Sequence, residues 1–140
     1  MIKTVHHLNL RPSRQDYDKT LKFYCEDLGM KVINSWMKDR GTLISRNCYI
    51  DAGQGVLLEV CETDVENKKA GIIQHFALYT DDAKAVLQSL KDKGYEIVNS
   101  KGQPSADLTI DVAVGDPVIK SRLGFVLSPS GELIEIIQDL

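Results

Sequence analysis

The sequence predicts an α+β fold in which two tandem βαβββ modules form a curved mixed sheet around a cavity, with the helices on the outer face. Three observations predict it. A short apolar strand runs straight into an amphipathic helix twice, at Thr4 to Leu28 and at Ile72 to Lys93. The segment after each helix is nearly the same: "GMKVINS" (29–35) parallels "GYEIVNS" (94–100). The strand that should close each half also repeats, "GVLLEV" (55–60) against "GELIEI" (131–136). Each half therefore reads strand, helix, strand, strand, strand, and a sheet with one apolar face must bury it against its helix. Module one spans 1–63, a polar linker spans 64–70, and module two spans 71–140.

Taken in order, Thr4 to Arg11 is the first strand, ended by Pro12, which cannot donate to a ladder. Ser13 is the expected N-cap of a helix from Gln15 to Leu28. Tyr17, Leu21, Tyr24, Cys25 and Leu28 fall at its three- and four-residue spacings. Gly29 supplies the left-handed stop. Met30 to Met37 and Thr42 to Gly53 read as strands joined by the turn "KDRG", and "GQG" (53–55) turns into a strand over Val56 to Glu62. In the second half, Ile72 to Thr80 is a strand. Asp81 to Lys93 is a helix with Ala83, Val86, Leu87 and Leu90 on its apolar side. Gly94 ends it, and "YEIVNS" begins the next strand. Lys101 to Ser121 is the least regular stretch and is expected as a long loop walling the site, with a short strand within Leu108 to Val114.

The composition bounds the function. With 140 residues, 43% hydrophobic and 26% charged, the chain has the balance of an ordinary globular domain. Its net charge of −3 and lack of a basic block argue against nucleic acid or an anionic membrane as partner. No apolar run approaches the roughly 20 residues of a membrane span. The N-terminal stretch is too short and polar for a signal peptide. Cys25, Cys48 and Cys61 are odd in number and lack CxxC spacing, as expected of small buried hydrophobes in a reducing compartment. A cytoplasmic protein acting on a small molecule is expected.

Strand alternation places His7, Asn9 and Arg11 on one face of the first strand, and His75, Ala77 and Tyr79 on one face of its counterpart. Leu57, Glu59 and Cys61 share a face of the strand that closes module one, and Glu135 holds the matching place in module two. A histidine alone in a strand ordinarily packs in the core, and a glutamate alone ordinarily meets solvent. Glu59 and Glu135, however, stand between apolar neighbours, where an unpaired carboxylate is costly. Two imidazoles and two carboxylates at repeat-related positions suit one divalent metal ion: Ni, Zn, Co, Mn or Fe. His6 is expected to point to the opposite face from His7 and to pack or meet solvent.

With these residues in view, the chain resembles the vicinal oxygen chelate superfamily, which includes glyoxalase I, methylmalonyl-CoA epimerase, extradiol dioxygenases and bleomycin- or fosfomycin-resistance proteins. The resemblance rests on "HHLNL", "FYCEDLGMKV" (23–32), "GVLLEV", "QHFALYTDD" and "SPSGELIEII". It implies paired βαβββ modules, one metal ion per site, and commonly a homodimer. The order His7, Glu59, His75, Glu135 is similar to the metal ligands of glyoxalase I, whereas epimerase-like members usually carry glutamine at the place of Glu59.

The resemblance implies a metal-dependent lyase or isomerase. The ion would bind a carbonyl oxygen and stabilise an enediolate, while a carboxylate moves a proton between adjacent carbons. Glu135 is the implied base, with Glu59 a ligand and a second catalytic carboxylate. Arg11 matches an arginine that glyoxalase I sets on the glutathione carboxylate. Thr63 stands where that enzyme has an asparagine, which points to a changed substrate pocket. Asn9 and Arg122 are further candidates for holding substrate, and Trp36 and Asn47 for its rim. Two alternatives stand beside this reading: an extradiol-type dioxygenase, which the extra carboxylate Glu59 disfavours, and a non-enzymatic drug-binding resistance protein, which 6% aromatic content disfavours.

Overall fold

The structure is a computed structural model, and it describes residues 1, 6–64, 75–114 and 117–140. The chain divides into two compact units, Met1–Lys69 and Ala70–Leu140. The expected linker beyond Asp64, and the parts of the two opening strands at 4–5 and 72–74, lie outside the described residues.

The first unit contains β1 (His7–Leu10), α1 (Tyr17–Leu21), β2 (Lys31–Asp39), β3 (Ile44–Asp51) and β4 (Leu57–Cys61). Its sheet has the order β1-β4-β3-β2, with β1 parallel to β4 and the other pairs antiparallel. Cys48, Ile50, Leu58 and Val60 form the buried face of this sheet. The Tyr17 phenol hydrogen-bonds the Cys48 thiol, which fastens α1 to that face.

Three expectations for this unit are corrected. Ser13 is not the helix cap: it forms a parallel bridge with Thr63, whose N–H donates to the Pro12 carbonyl. These bonds hold Ser13 extended, so the helix waits until Asp16 and Tyr17. The helix also does not keep one pitch to Leu28. After Leu21 it widens into π-helical geometry over Lys22–Asp27. The extra residue per turn brings both Phe23 and Tyr24 into the core, each fully buried, while Leu21, Cys25 and Leu28 are only half-buried. Finally, His6 precedes the first described strand residue, so strand alternation does not carry it to the far side of His7, as the next section describes.

The second unit contains β5 (Phe76–Tyr79), α2 (Ala83–Asp92), β6 (Ile97–Val98), β7 (Ile110–Val114), β8 (Ile119–Leu127) and β9 (Leu133–Asp139). The sheet order is β5-β9-β8-β6, again with the opening and closing strands parallel, and β7 pairs with β8. Leaving out β7, the connectivity repeats that of the first unit. Asp82 caps α2 by accepting the Ala85 N–H at 2.9 Å. Ala83, Leu87 and Leu90 are fully buried where α2 packs on β8 and β9. Gly124 makes that contact possible: a Cβ there would lie 2.2 Å from the Leu108 carbonyl oxygen and 2.6 Å from Leu87 Cδ1. Within the stretch expected as a long loop, Lys101 to Ser121, the short strand expected in Leu108 to Val114 is present as β7, and it pairs antiparallel with β8 from Ile110↔Leu123 to Val114↔Ile119. Most residues of β7 are exposed on both faces, so its alternation does not mark its partner strand.

Candidate metal half-sites in each unit

In the first unit the parallel pairing of β1 with β4 sets Asn9 opposite Glu59. His7, two residues earlier on the same face, reaches Glu59: Nε2 lies 3.1 Å from Oε2. In the second unit the pairing of β5 with β9 sets Ala77 opposite Glu135. His75, again two residues earlier, places Nε2 2.8 Å from Glu135 Oε2. The two histidine–glutamate pairs thus occupy the same register in two sheets of the same connectivity.

A third residue repeats with them. Across the antiparallel pair on the other side of each glutamate stand Tyr49 and Phe125. The His7 and Tyr49 rings meet edge-on with centroids 6.0 Å apart, and those of His75 and Phe125 at 5.6 Å. Each aromatic packs against an imidazole and limits its rotation. Sequence reasoning missed both, although the signal was present: each stands ten residues before its glutamate.

The halves differ in what else touches them. Asn9 Nδ2 donates to Glu59 Oε2 at 3.0 Å and lies 3.4 Å from Cys61 Sγ, so its amide faces the carboxylate and the thiol. Ala77 offers nothing comparable to Glu135. Side-chain exposure is 20% for Glu59 and 12% for Glu135, which lies between the buried Ile134 and Ile136. His6 Nδ1 lies 2.9 Å from His7 Nδ1, so one ring donates to the other. His6 therefore turns toward His7, contrary to the expectation that it points away.

Of the remaining candidates, Arg122 makes a bidentate pair with Asp111 at 2.7 and 2.9 Å. Arg11 is exposed at the end of β1. Trp36 stacks at a tilt on Tyr49, 5.0 Å between centroids, and Asn47 is buried under Arg40. Burial pushes the thiols of Cys25, Cys48 and Cys61 above the usual range, which disfavours the reactive thiolate.

The donor chemistry fits a divalent ion. Nitrogen and oxygen donors each about 2.1 Å from an ion stand about 3 Å apart when the angle between them is near 90°. Both pairs have that spacing. Within either unit, no third His, Cys, Asp or Glu among the described residues joins the pair to make a three-donor cluster.

Two sheets that share one connectivity apart from the added β7, each with a histidine and a glutamate at matched positions, define a duplicated βαβββ protein. The chain belongs to the Glyoxalase/Bleomycin resistance protein/Dioxygenase superfamily, whose family model matches residues 4–136. Among curated proteins it is similar to a probable lactoylglutathione lyase of Vibrio parahaemolyticus, 26% identical over 127 residues, covering 89% of this chain and 83% of the relative. Among solved structures it is similar to the trypanothione-dependent glyoxalase I of Leishmania major, with a TM-score of 0.70 at 21% identity over 98% of this chain and 87% of that one. It is similar in fold also to the fosfomycin resistance protein FosX of Listeria monocytogenes, solved with Mn(II) and sulfate. There the TM-score is 0.68 at 16% identity, over all of this chain and 95% of that one. No helix among the described residues is long and apolar enough to cross a membrane.

Proposed function

We propose that the protein is a metal-dependent lyase or isomerase of the glyoxalase type, moving a proton between two carbons next to a carbonyl of a small substrate. The observation that carries the proposal is the repeated register of His7 with Glu59 and His75 with Glu135. The two pairs serve one ion (Ni, Zn, Co, Mn or Fe), brought together within one chain or between two copies in a homodimer. When bound, that ion supplies a Lewis acid for the carbonyl oxygen and for the negative charge that develops on it.

The residues of the chain divide the remaining work. Glu135 is the base. It is the less solvated carboxylate and has no amide beside it on β5, so it takes the proton from the carbon next to the carbonyl and returns it to the neighbouring carbon. Glu59, fixed by Asn9, serves as a ligand and as the carboxylate on the opposite side. For His7 to bind through Nε2, its proton must sit on Nδ1, from which it donates to His6; this selects the tautomer. Tyr49 and Phe125 hold the imidazole planes. Arg11 contributes positive charge for an acidic substrate group.

The test is turnover of hemithioacetals, acyl-CoA epimers and catechols by the metal-loaded protein. The proposal expects activity with hemithioacetals and a fall of at least about 100-fold in kcat for Glu135→Gln; activity with acyl-CoA epimers alone, which returns the proton to the same carbon, would contradict it. Oxygen uptake with catechols, or unchanged turnover in Glu135→Gln, would contradict it.

A further inference from the structure

On the sheet face that carries Glu59, a second group is built for a ligand. Arg40 lies in the turn between β2 and β3, where its N–H donates to the Leu43 carbonyl at 2.9 Å. The turn sends its side chain back along β3. There Nε donates to Ser45 Oγ at 2.8 Å and Nη2 donates to Asn47 Oδ1 at 3.1 Å. Ser45 and Asn47 are 0% and 1% exposed, and Ser45 Oγ also donates to Asn47 Oδ1. The guanidinium is thus clamped by two neutral, buried groups. Among the described residues no carboxylate pairs with Arg40, whereas Arg46 is held by Glu62 and Asp18, and Arg122 by Asp111. A half-buried guanidinium fixed in place but not neutralised retains most of its five donors for an incoming anion.

Its position relates it to the half-site. Asn47 is opposite Cys61 in the β3–β4 register, and Tyr49 is opposite Glu59. Asn47 and Glu59 are therefore diagonal neighbours on one face of the β3–β4 pair, roughly 7–8 Å apart at the backbone.

We infer that Arg40 is a specificity-determining residue that binds an anionic group of the substrate, a carboxylate or an oxyacid of phosphorus or sulfur, on the same sheet face as Glu59, with Ser45 and Asn47 as its positioning residues. This deepens the function proposed above and rests on it for the reacting end alone. It selects substrates with an acid group over neutral ones.

The single tryptophan gives the readout, because Trp36 stands opposite Asn47 and against Tyr49. Trp36 fluorescence is titrated with glutarate and with its neutral isostere glutaramide at constant ionic strength, in the wild type, Arg40→Lys and Arg40→Gln. Metal content and melting temperature are measured in parallel. The inference expects a saturable glutarate response in the wild type and none with glutaramide. Glutarate should bind several-fold more weakly in Arg40→Lys, whose point charge cannot bridge Ser45 and Asn47. In Arg40→Gln it should bind at least tenfold more weakly, with metal content unchanged. Arg40→Lys guards against a fold defect in Arg40→Gln. A wild type that does not respond to glutarate, or equal glutarate affinity in all three proteins, overturns it. Loss of metal binding with the glutarate pattern intact would instead sink the metal-dependent function and leave the anion site standing.

Discussion

Glu59 and Glu135 are chemically identical side chains made different by one neighbour each. Asn9 gives Glu59 a hydrogen-bond donor at 3.0 Å, and the matched position opposite Glu135 is Ala77. An amide that fixes a ligating carboxylate preorganises the site, and loss of such an outer partner typically costs 10- to 100-fold in metal affinity. Asn9→Ala should therefore weaken metal binding by about tenfold or more in competition with a chromophoric chelator, with little change in melting temperature because Asn9 is exposed. Unchanged affinity would mean that the amide merely accompanies the carboxylate. The strand positions of His7 and of the two glutamates, and the place of His75 next to β5, could be read from the sequence because acids and imidazoles stand out among apolar β-residues. Tyr49 and Phe125 could not be singled out in the same way, since an aromatic in a strand is what any core requires. Only their equal distance from the two glutamates separates them from packing residues.

At the scale of elements, two features carry testable energetics. Gly124 lets β8 approach Leu108 and Leu87 of α2 more closely than any side chain allows. Gly124→Ala should destabilise the protein by about 3 kcal/mol in denaturant unfolding, the upper end for overpacking because the nearest atom is a backbone oxygen. A change below about 0.5 kcal/mol would show that the hairpin can move aside. The second feature is Glu62, 2% exposed at the end of β4. It accepts the Arg46 backbone N–H at 3.0 Å and the Arg46 guanidinium at 3.1 and 3.2 Å, and Arg14 lies 3.4 Å away. The Arg46 hydrogen bonds hold its carboxyl below the usual glutamate value of 4.5, against the opposing effect of burial. A depressed folded-state pKa stabilises fully above the unfolded value, and that contribution is lost as pH falls through the folded value. Wild-type stability should thus drop below pH 4.5 more steeply than that of Glu62→Gln, which should itself be about 2 kcal/mol less stable at pH 7. Parallel acid profiles would remove Glu62 from the account.

The elements also mark what local sequence conveys and what it does not. The α2 helix was readable because its apolar period and its Gly94 stop agree, although it starts at Ala83, two residues after the expected Asp81, with Asp82 as its cap. The first helix misled because its period changes partway, and a π-helical widening has no simple residue signature. Ser13 misled because its backbone is claimed by Thr63, a contact between segments fifty residues apart. The short strand β7 could be placed within Leu108 to Val114, but its pairing with β8 could not, because exposure on both faces of β7 erases the two-residue alternation that would mark a partner.

At the scale of the whole molecule, duplication is the organising fact. Two sheets with the same strand order each set one imidazole nitrogen about 3 Å from one carboxylate oxygen. Two donors hold a divalent ion weakly, and four hold it tightly, so the account requires each unit to supply half of one site. Elemental analysis of purified protein after dialysis without chelator tests that requirement most directly, comparing the wild type with His7→Ala and His75→Ala. The account predicts one tightly held divalent ion per site in the wild type and its near-complete loss in either variant, although the substitutions lie in different units. Full metal content in both variants, or a partial loss in each that adds up to the total, would contradict it.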